Sequence, residues 1–565
     1  MKTFTLFLLF LIFGLNCNAQ NFQLQITGNS TFENKTIDSL NYSKTHKNAK
    51  SISDEITITS EKLSKTGFIE SQLLENKKTN DSSYTAKFSL GERVKFIHIY
   101  ISKNSAIKDI IALDKNKDSI TIPYDEIESF LNGTLIKLEK KGFALAKLKL
   151  INIHKQNHSL IADLQFDPNQ QRKLNSIVVK FTKDNKKNSF PEGHLAQINR
   201  KYLNSSFNKN IVSQIHDDFE KFGFVNQIKY PEILFTKDTT KVYVYLEKRK
   251  ANNFDGFIGF TNNKTNKLVF NGYLDLTLVN TLKVGEQFSI YWKSDGNNQK
   301  TFKAGIEIPY LFKTSIGLKA QLYIFKKDSL FQNTKTSIDL GYFINYYTRV
   351  YLGYQSTESS DIQNTNSSTL SSYKNSFITS NLEYSKQDNI NLTFPKKSIL
   401  SLTIASGKRA TNDATGTAGK SAQFYINFQA MNNFYLNKKN CININYQNYL
   451  LQSNTYIINE LYRFGGINSI RGFAENSLQA NLLSALLTEY RHIISPSLYI
   501  NTITDYSYYE DKTSRNKGDL LSFGFGIGLQ TKTGLLKLAF ANGTTKNQTP
   551  KFDNTIIHIS YNIKF

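Results

Sequence analysis

The sequence predicts three small α+β repeat domains followed by a sixteen-stranded antiparallel transmembrane β-barrel. Three observations lead there. The first 250 residues contain an internal repeat at a spacing of 75 to 81 residues. From about Asn253 to the C-terminus helical periodicity gives way to strict alternation of apolar with polar or small residues. After the first twenty residues no stretch reaches 18 consecutive apolar residues, so a membrane-spanning part has to be built from strands.

Composition agrees with a β-rich chain. Its 565 residues include 41 Phe and 31 Tyr against 1 Trp and 8 Pro, a usage that suits strands better than helical bundles. At roughly 100 to 200 residues per domain the length calls for several domains. The formal charge of +24 is compatible with nucleic acid, an anionic membrane face or acidic partners and does not choose among them.

The N-terminus decides the compartment. Lys2 precedes an apolar run from Phe4 to Leu15, and Cys17-Asn18-Ala19 follows before Gln20, the pattern of a cleaved secretory signal over residues 1–19. The run is too short to span a bilayer as a helix, which needs roughly 20 residues. Asn16 occupies the place where a lipidated cysteine is normally preceded by a small residue, so Cys17 is the weaker reading. Cleavage leaves Cys441 as the sole cysteine, which excludes an intramolecular disulfide and any paired-cysteine zinc site. Export also removes most of the case for nucleic acid. No metal or cofactor is expected.

The repeat is marked by Thr66-Gly67-Phe68, Lys141-Gly142-Phe143 and Phe222-Gly223-Phe224. Each closes a helix-like stretch, and about 20 residues later comes an alternating strand: Tyr84 to Phe88, Leu160 to Phe166, Val242 to Leu246. In the second copy Ile127, Phe130, Leu131, Thr134, Leu135 and Leu138 recur at helical spacing. Asp125, Glu126 and Glu128 favour the positive end of that helix, and Gly142 supplies its left-handed stop. First strands are read at Phe22 to Ile26, Val94 to Ile101 and Leu174 to Phe181. This order of strand, helices, strand, strand resembles the POTRA domain, with POTRA-like copies at 20–92, 93–170 and 171–250 and a barrel at 251–565. Such domains leave sheet edges open, and an open edge accepts a further strand by β-augmentation.

In the second half, Phe523, Phe525, Ile527 and Leu529 alternate with Gly524, Gly526, Gly528 and Gln530, and Ile557, Ile559, Tyr561, Ile563 and Phe565 alternate with His558, Ser560, Asn562 and Lys564. One face is greasy and the other polar or small, as a strand between lipid and water requires. The 313 residues from Asn253, at roughly 20 per strand and turn, make about 16 strands, an even number. A soluble β-sandwich alternates too, but a last strand ending on an aromatic resembles the insertion signal of bacterial outer-membrane barrels, carried here by Tyr561, Ile563 and Phe565. The tyrosines Tyr342, Tyr346, Tyr347, Tyr351 and Tyr354 are read as interface girdle rather than a carbohydrate platform.

Between two barrel strands stands Arg463-Phe464-Gly465-Gly466-Ile467-Asn468-Ser469-Ile470-Arg471-Gly472-Phe473. A guanidinium makes planar, directional hydrogen bonds that lysine does not reproduce, and Gly472 permits a tight backbone beside it. Gly465, Gly466, Ser469, Ile470, Arg471, Gly472 and Phe473 resemble the loop-six signature of the BamA, TamA and FhaC superfamily of outer-membrane POTRA and β-barrel proteins. The resemblance implies that this loop folds back into the lumen, where Arg471 meets acidic residues of the next strands. Glu489 in Thr488-Glu489-Tyr490-Arg491 and Asp505 in Ile503-Thr504-Asp505-Tyr506-Ser507 resemble those positions, with Ser507 in place of the usual glycine. Read without the family, the same carboxylates are three solvated lumen charges with Arg471, or a hydrolytic pair. The scarcity of His, 8 in all, and the lack of a nucleophile motif or a phosphate-cradling loop argue against an enzyme.

The resemblance implies an outer-membrane assembly factor, nearest in layout to TamA. It would receive unfolded outer-membrane or secreted client proteins on periplasmic domains and insert or translocate them at the lipid bilayer. A periplasm-spanning accessory protein is an open further partner, and nucleic acid is not one. The alternative is a two-partner-type secretion pore that exports one dedicated protein.

Overall fold

The computed structural model describes residues 21–103, 105–114, 116–182, 189–262, 268–294, 299–363, 369–388, 393–394, 396–412, 418–531, 534–545, 553 and 555–564. The signal segment and Phe565 therefore lie outside the described residues. The chain forms two compact units, Met1–Leu174 with Asn204–Asn210, and Asn175–Leu203 with Ile211–Phe565.

Three small α/β modules precede the barrel, and each is organised around a parallel strand pair. In the first, Phe22–Thr27 runs parallel to Ser83–Ser89, with Gln72–Asn80 and the short Thr45–His46 on the two edges. The helices Thr31–Ser39 and Ala49–Lys65 supply the apolar cover, and Ile37, Ile52, Ile56 and Leu63 pack against Leu24, Ile26 and Phe88. Both helices are capped by side chains: Ser30 accepts from the Glu33 N–H, and Asn48 and Ser51 form a reciprocal capping box. In the second module Phe96–Tyr100 runs parallel to Ser159–Asp167, between the edges Ser119–Pro123 and Lys147–Gln156. In the third, Ser176–Phe181 runs parallel to Thr240–Lys248, whose other neighbour is broken into Val225–Gln227 and Glu232–Phe235.

The repeated glycines have a structural reason that separates two of them from the third. Gly67 and Gly142 have φ of +103° and +93°, and their carbonyls accept the N–H of Val94 and Arg172, the residues that open the following module. A Cβ on Gly67 would stand 2.3 Å from the Val94 carbonyl oxygen. These glycines are joints as well as helix stops. Gly223 has no such neighbour, and its N–H donates to the Tyr346 hydroxyl at a barrel turn, 3.4 Å away.

That turn is part of a seat for the third module on the barrel rim. His194, on the helix Glu192–Tyr202, is buried against Phe222, Phe224, Tyr310 and Tyr346, with its ring perpendicular to that of Tyr310 at 4.9 Å. Burial, helped by the nearby Arg349 cation, lowers the His194 pKa to about 3, so the ring is neutral. Around it Gln197 donates to the Lys313 and Thr314 carbonyls at 2.9 Å, and Arg200 to the Ser315 hydroxyl at 3.0 Å.

The barrel is a closed antiparallel ring of 16 strands. The first eight are Asn253–Asn262, Leu268–Val279, Gln287–Ser294, Gln299–Ile308, Ile316–Lys327, Phe331–Phe343, Thr348–Asp361 and Tyr373–Gln387. The other eight are Lys396–Asn412, Ala418–Tyr435, Asn440–Ser453, Leu482–Ser495, Leu498–Asp511, Asn516–Gln530, Gly534–Thr545 and Ile556–Lys564. The outer surface is apolar, with Ile338, Leu340, Leu352, Ile378, Phe523, Phe525, Ile557 and Ile559 all exposed, while Ser522, Asp505, Asp339 and Gln355 are buried within. The girdle reading of the tyrosines needs correction. Tyr342 and Tyr354 do face outward, but Tyr351 is buried under the Lys319 ammonium and Tyr346 packs on Phe222 at the module seat. Tyr351 and Tyr354 are three residues apart, and an odd separation places them on opposite faces of a strand.

Candidate functional site: the lumen loop

Up-and-down order sends the eleventh strand, Asn440–Ser453, from the module side to the far rim. The connection from there to the twelfth, residues 454–481, turns back into the barrel. Tyr462–Phe464 pairs with Leu478–Ala480 as a short hairpin, and Arg471 stands at its tip. Gly465, Gly466 and Gly472 have φ of +102°, +99° and +77°, a region that side chains disfavour. Within the tip the Gly466 N–H donates to the Ile470 carbonyl and the Ser469 N–H to the Gly466 carbonyl, both at 3.1 Å. Ile470 is fully buried with Phe464, Ala480, Leu483 and Leu520, and Phe473 packs at the edge of that cluster. This apolar plug orients the arginine.

Arg471 meets two carboxylates at once. Its Nε and Nη2 form a fork on the two Asp505 oxygens, at 2.8 and 2.5 Å, and its backbone N–H also donates to Asp505 at 3.1 Å. Nη1 pairs with Glu489, and Nη2 reaches the Thr488 carbonyl at 3.4 Å. Asp505 is completely buried and Arg471 is 5% exposed, so charge and hydrogen bonds are shared out of contact with bulk solvent. Glu489 is held from its other side by Arg491, 2.6 Å away, and the Arg491 guanidinium lies over the Phe394 ring at 4.8 Å. Ser507, which stands where glycine is usual, keeps regular register between Ala485 and Leu520 and is fully buried. Tyr561 and Ile563 lie on the closing strand, and Phe565 falls outside the described residues.

Sequence reasoning missed most of what anchors the loop. Gly472 lies so close to the fifteenth strand that a Cβ would be 2.3 Å from the Gly543 nitrogen. Glu475 pairs with Lys293 of the third strand at 3.1 Å. On the entering limb Glu460 pairs with Arg409 of the ninth strand, both nearly inaccessible. Asn459 donates to the Ser359 hydroxyl at 2.7 Å and the Ser371 carbonyl at 2.8 Å, and its carbonyl accepts from Asn333 at 2.6 Å. The loop thus touches strands around the whole lumen. Arg491 was open to discovery, since two residues from Glu489 it shares the inward face. Arg409 and Lys293 carry no local signal.

A closed barrel with an apolar outer wall and an inward-folded loop tied to that wall defines a membrane-spanning β-barrel protein. Residues 280–565 match the Omp85 superfamily domain, and the chain belongs to that superfamily. No curated protein matches the sequence. Among solved structures it is similar to CdiB from Acinetobacter baumannii, with 13% identity over 84% of this chain and 90% of that one and a TM-score of 0.50. It is also similar to BamA from Haemophilus ducreyi lacking POTRA domains 1-3, with 14% identity, 83% and 99% coverage and a TM-score of 0.49. CdiB from Escherichia coli matches at 11% identity, 90% and 98% coverage and a TM-score of 0.47. Superfamily membership locates the barrel in the outer membrane and the N-terminal modules in the periplasm, and carries the general role of moving polypeptides into or across that membrane.

Proposed function

We propose that the chain is an insertase: client polypeptides are received on the periplasmic modules and enter the outer membrane at the junction of the first and last barrel strands, without enzymatic chemistry. One observation carries this reading. The first strand pairs with the second along its whole length, Asn253 to Asn262, whereas among the described residues its ladder with the last strand consists of Asn253, Phe254 and Asp255 opposite Lys564, Ile563 and Asn562. Backbone groups beyond that point form an edge on which a client strand can template. The lumen loop supports the same reading, because a loop bound on several sides of the barrel obstructs passage through the centre. Glu489 and Asp505 spend their oxygens on guanidinium groups, which suits a latch rather than a hydrolytic pair. The long exposed edges Gln72–Asn80 and Lys147–Gln156 suit delivery of extended segments.

The test is reconstitution of the full-length protein in lipid vesicles. Accelerated folding of unrelated barrel proteins with little ion conductance is the expected result. Steady conductance with export of one dedicated partner, and no effect on unrelated barrels, would make it a secretion pore instead.

A further inference from the structure

We infer that Asp255 is the residue that stops the barrel seam from zipping further, by taking with its side chain a backbone hydrogen bond that the continued ladder would use. This rests on the seam-based reading above and names the group that sets it. In the register of the seam, Gly256 would face Tyr561 next. The Tyr561 N–H instead donates to Asp255 Oδ1 at 3.2 Å, and the same oxygen accepts the Tyr273 hydroxyl from the second strand. A carboxylate is a stronger acceptor than a peptide carbonyl, so the exchange is favourable where it occurs and ends the pairing there.

Two further features fit a stop rather than a chance contact. Asp255 stands directly opposite Asp275 on the second strand, an arrangement that disfavours pairing between like charges, so the carboxylate is kept in place by its two donors and not by its cross-strand neighbour. Immediately after it, Gly256 presses against the second strand, where a Cβ would be 2.4 Å from the Tyr273 carbonyl oxygen. A side chain at position 256 would therefore crowd the second strand. Tyr561 is itself held in the ladder with the fifteenth strand, opposite Leu536, which sets the direction in which its N–H points.

Hydrogen exchange by mass spectrometry on the full-length protein in lipid nanodiscs, with client insertion measured in parallel, tests the assignment. In Asp255→Ala the ladder extends, exchange of the amides in 556–561 slows by roughly tenfold, the change one net hydrogen bond makes, and insertion slows with it. Asp255→Asn, whose neutral amide oxygen accepts no more strongly than a peptide carbonyl, gives exchange and insertion between those of the wild type and Asp255→Ala. Asp255→Ser, too short to bridge, reproduces the alanine result and serves if Asp255→Ala does not assemble. Unchanged or faster exchange in both Ala and Ser variants overturns the stop. Slower exchange with unchanged insertion upholds the stop and overturns the seam as the site of insertion.

Discussion

The wall that carries the lumen loop and the wall where the barrel closes are made of the same kind of strand, yet they are held in opposite ways. At the twelfth and thirteenth strands, Leu482–Ser495 and Leu498–Asp511 pair over nearly their whole length, and a buried arginine adds a fork on Asp505 and a bond to Glu489. At the seam, pairing ends at Asp255 and a side chain stands in for the next backbone acceptor. The difference teaches where this molecule places its rigidity: away from the seam at which the ring closes. A barrel with uniform ladders has no preferred place to admit a strand.

The contrast is broken most completely by closing the weak wall. Phe254→Cys with Ile563→Cys places two thiols on directly opposed residues. Oxidation is expected to abolish insertion and reduction to restore it, and unimpaired insertion by the cross-linked protein would remove the seam from the mechanism. The strong wall is loosened next most severely by Arg471→Ala, which strands buried Asp505 without a cation at about 3–5 kcal/mol. The barrel should remain in the membrane while the 454–481 loop becomes protease-sensitive and insertion falls. Arg471→Lys should recover little, because an ammonium does not form the fork. A smaller effect is expected from Gly472→Ala, where a left-handed backbone and the contact with Gly543 together cost about 1–3 kcal/mol, read as a lower denaturant midpoint.

The mildest prediction concerns the module seat, away from both walls. His194 has a folded pKa near 3 against about 6.5 when exposed, so the unfolded state takes up the proton first. Its contribution to stability is full above about pH 6.5 and is lost progressively as pH falls from there toward 3. Denaturant midpoints at pH 7.5 and pH 5 should therefore diverge in the wild type and converge in His194→Leu. Equal pH sensitivity in the two proteins would refute the assignment.

What was legible in the sequence was local. Alternation of period two exposes the barrel strands because each has one face in lipid, and the Gly-rich run around Arg471 is visible because a tight lumen turn needs glycine at Gly465, Gly466 and Gly472. Tyr351 shows the limit of composition without parity: an aromatic run looks like a girdle until each residue is assigned a face. The Arg409–Glu460 pair lay beyond reach, since its members are distant in the chain and belong to no motif.

By itself the amino-acid order determined a strand-built membrane domain behind small α+β modules, because hydrophobic periodicity and turn chemistry act between near neighbours. Tertiary structure alone decided that Asp255 meets Tyr561, that Glu475 meets Lys293, and that Gly223 serves the barrel while Gly67 and Gly142 serve module joints. Those contacts depend on how the ring closes and where the loop descends, and ring closure brings together residues whose separation along the chain carries no periodic trace.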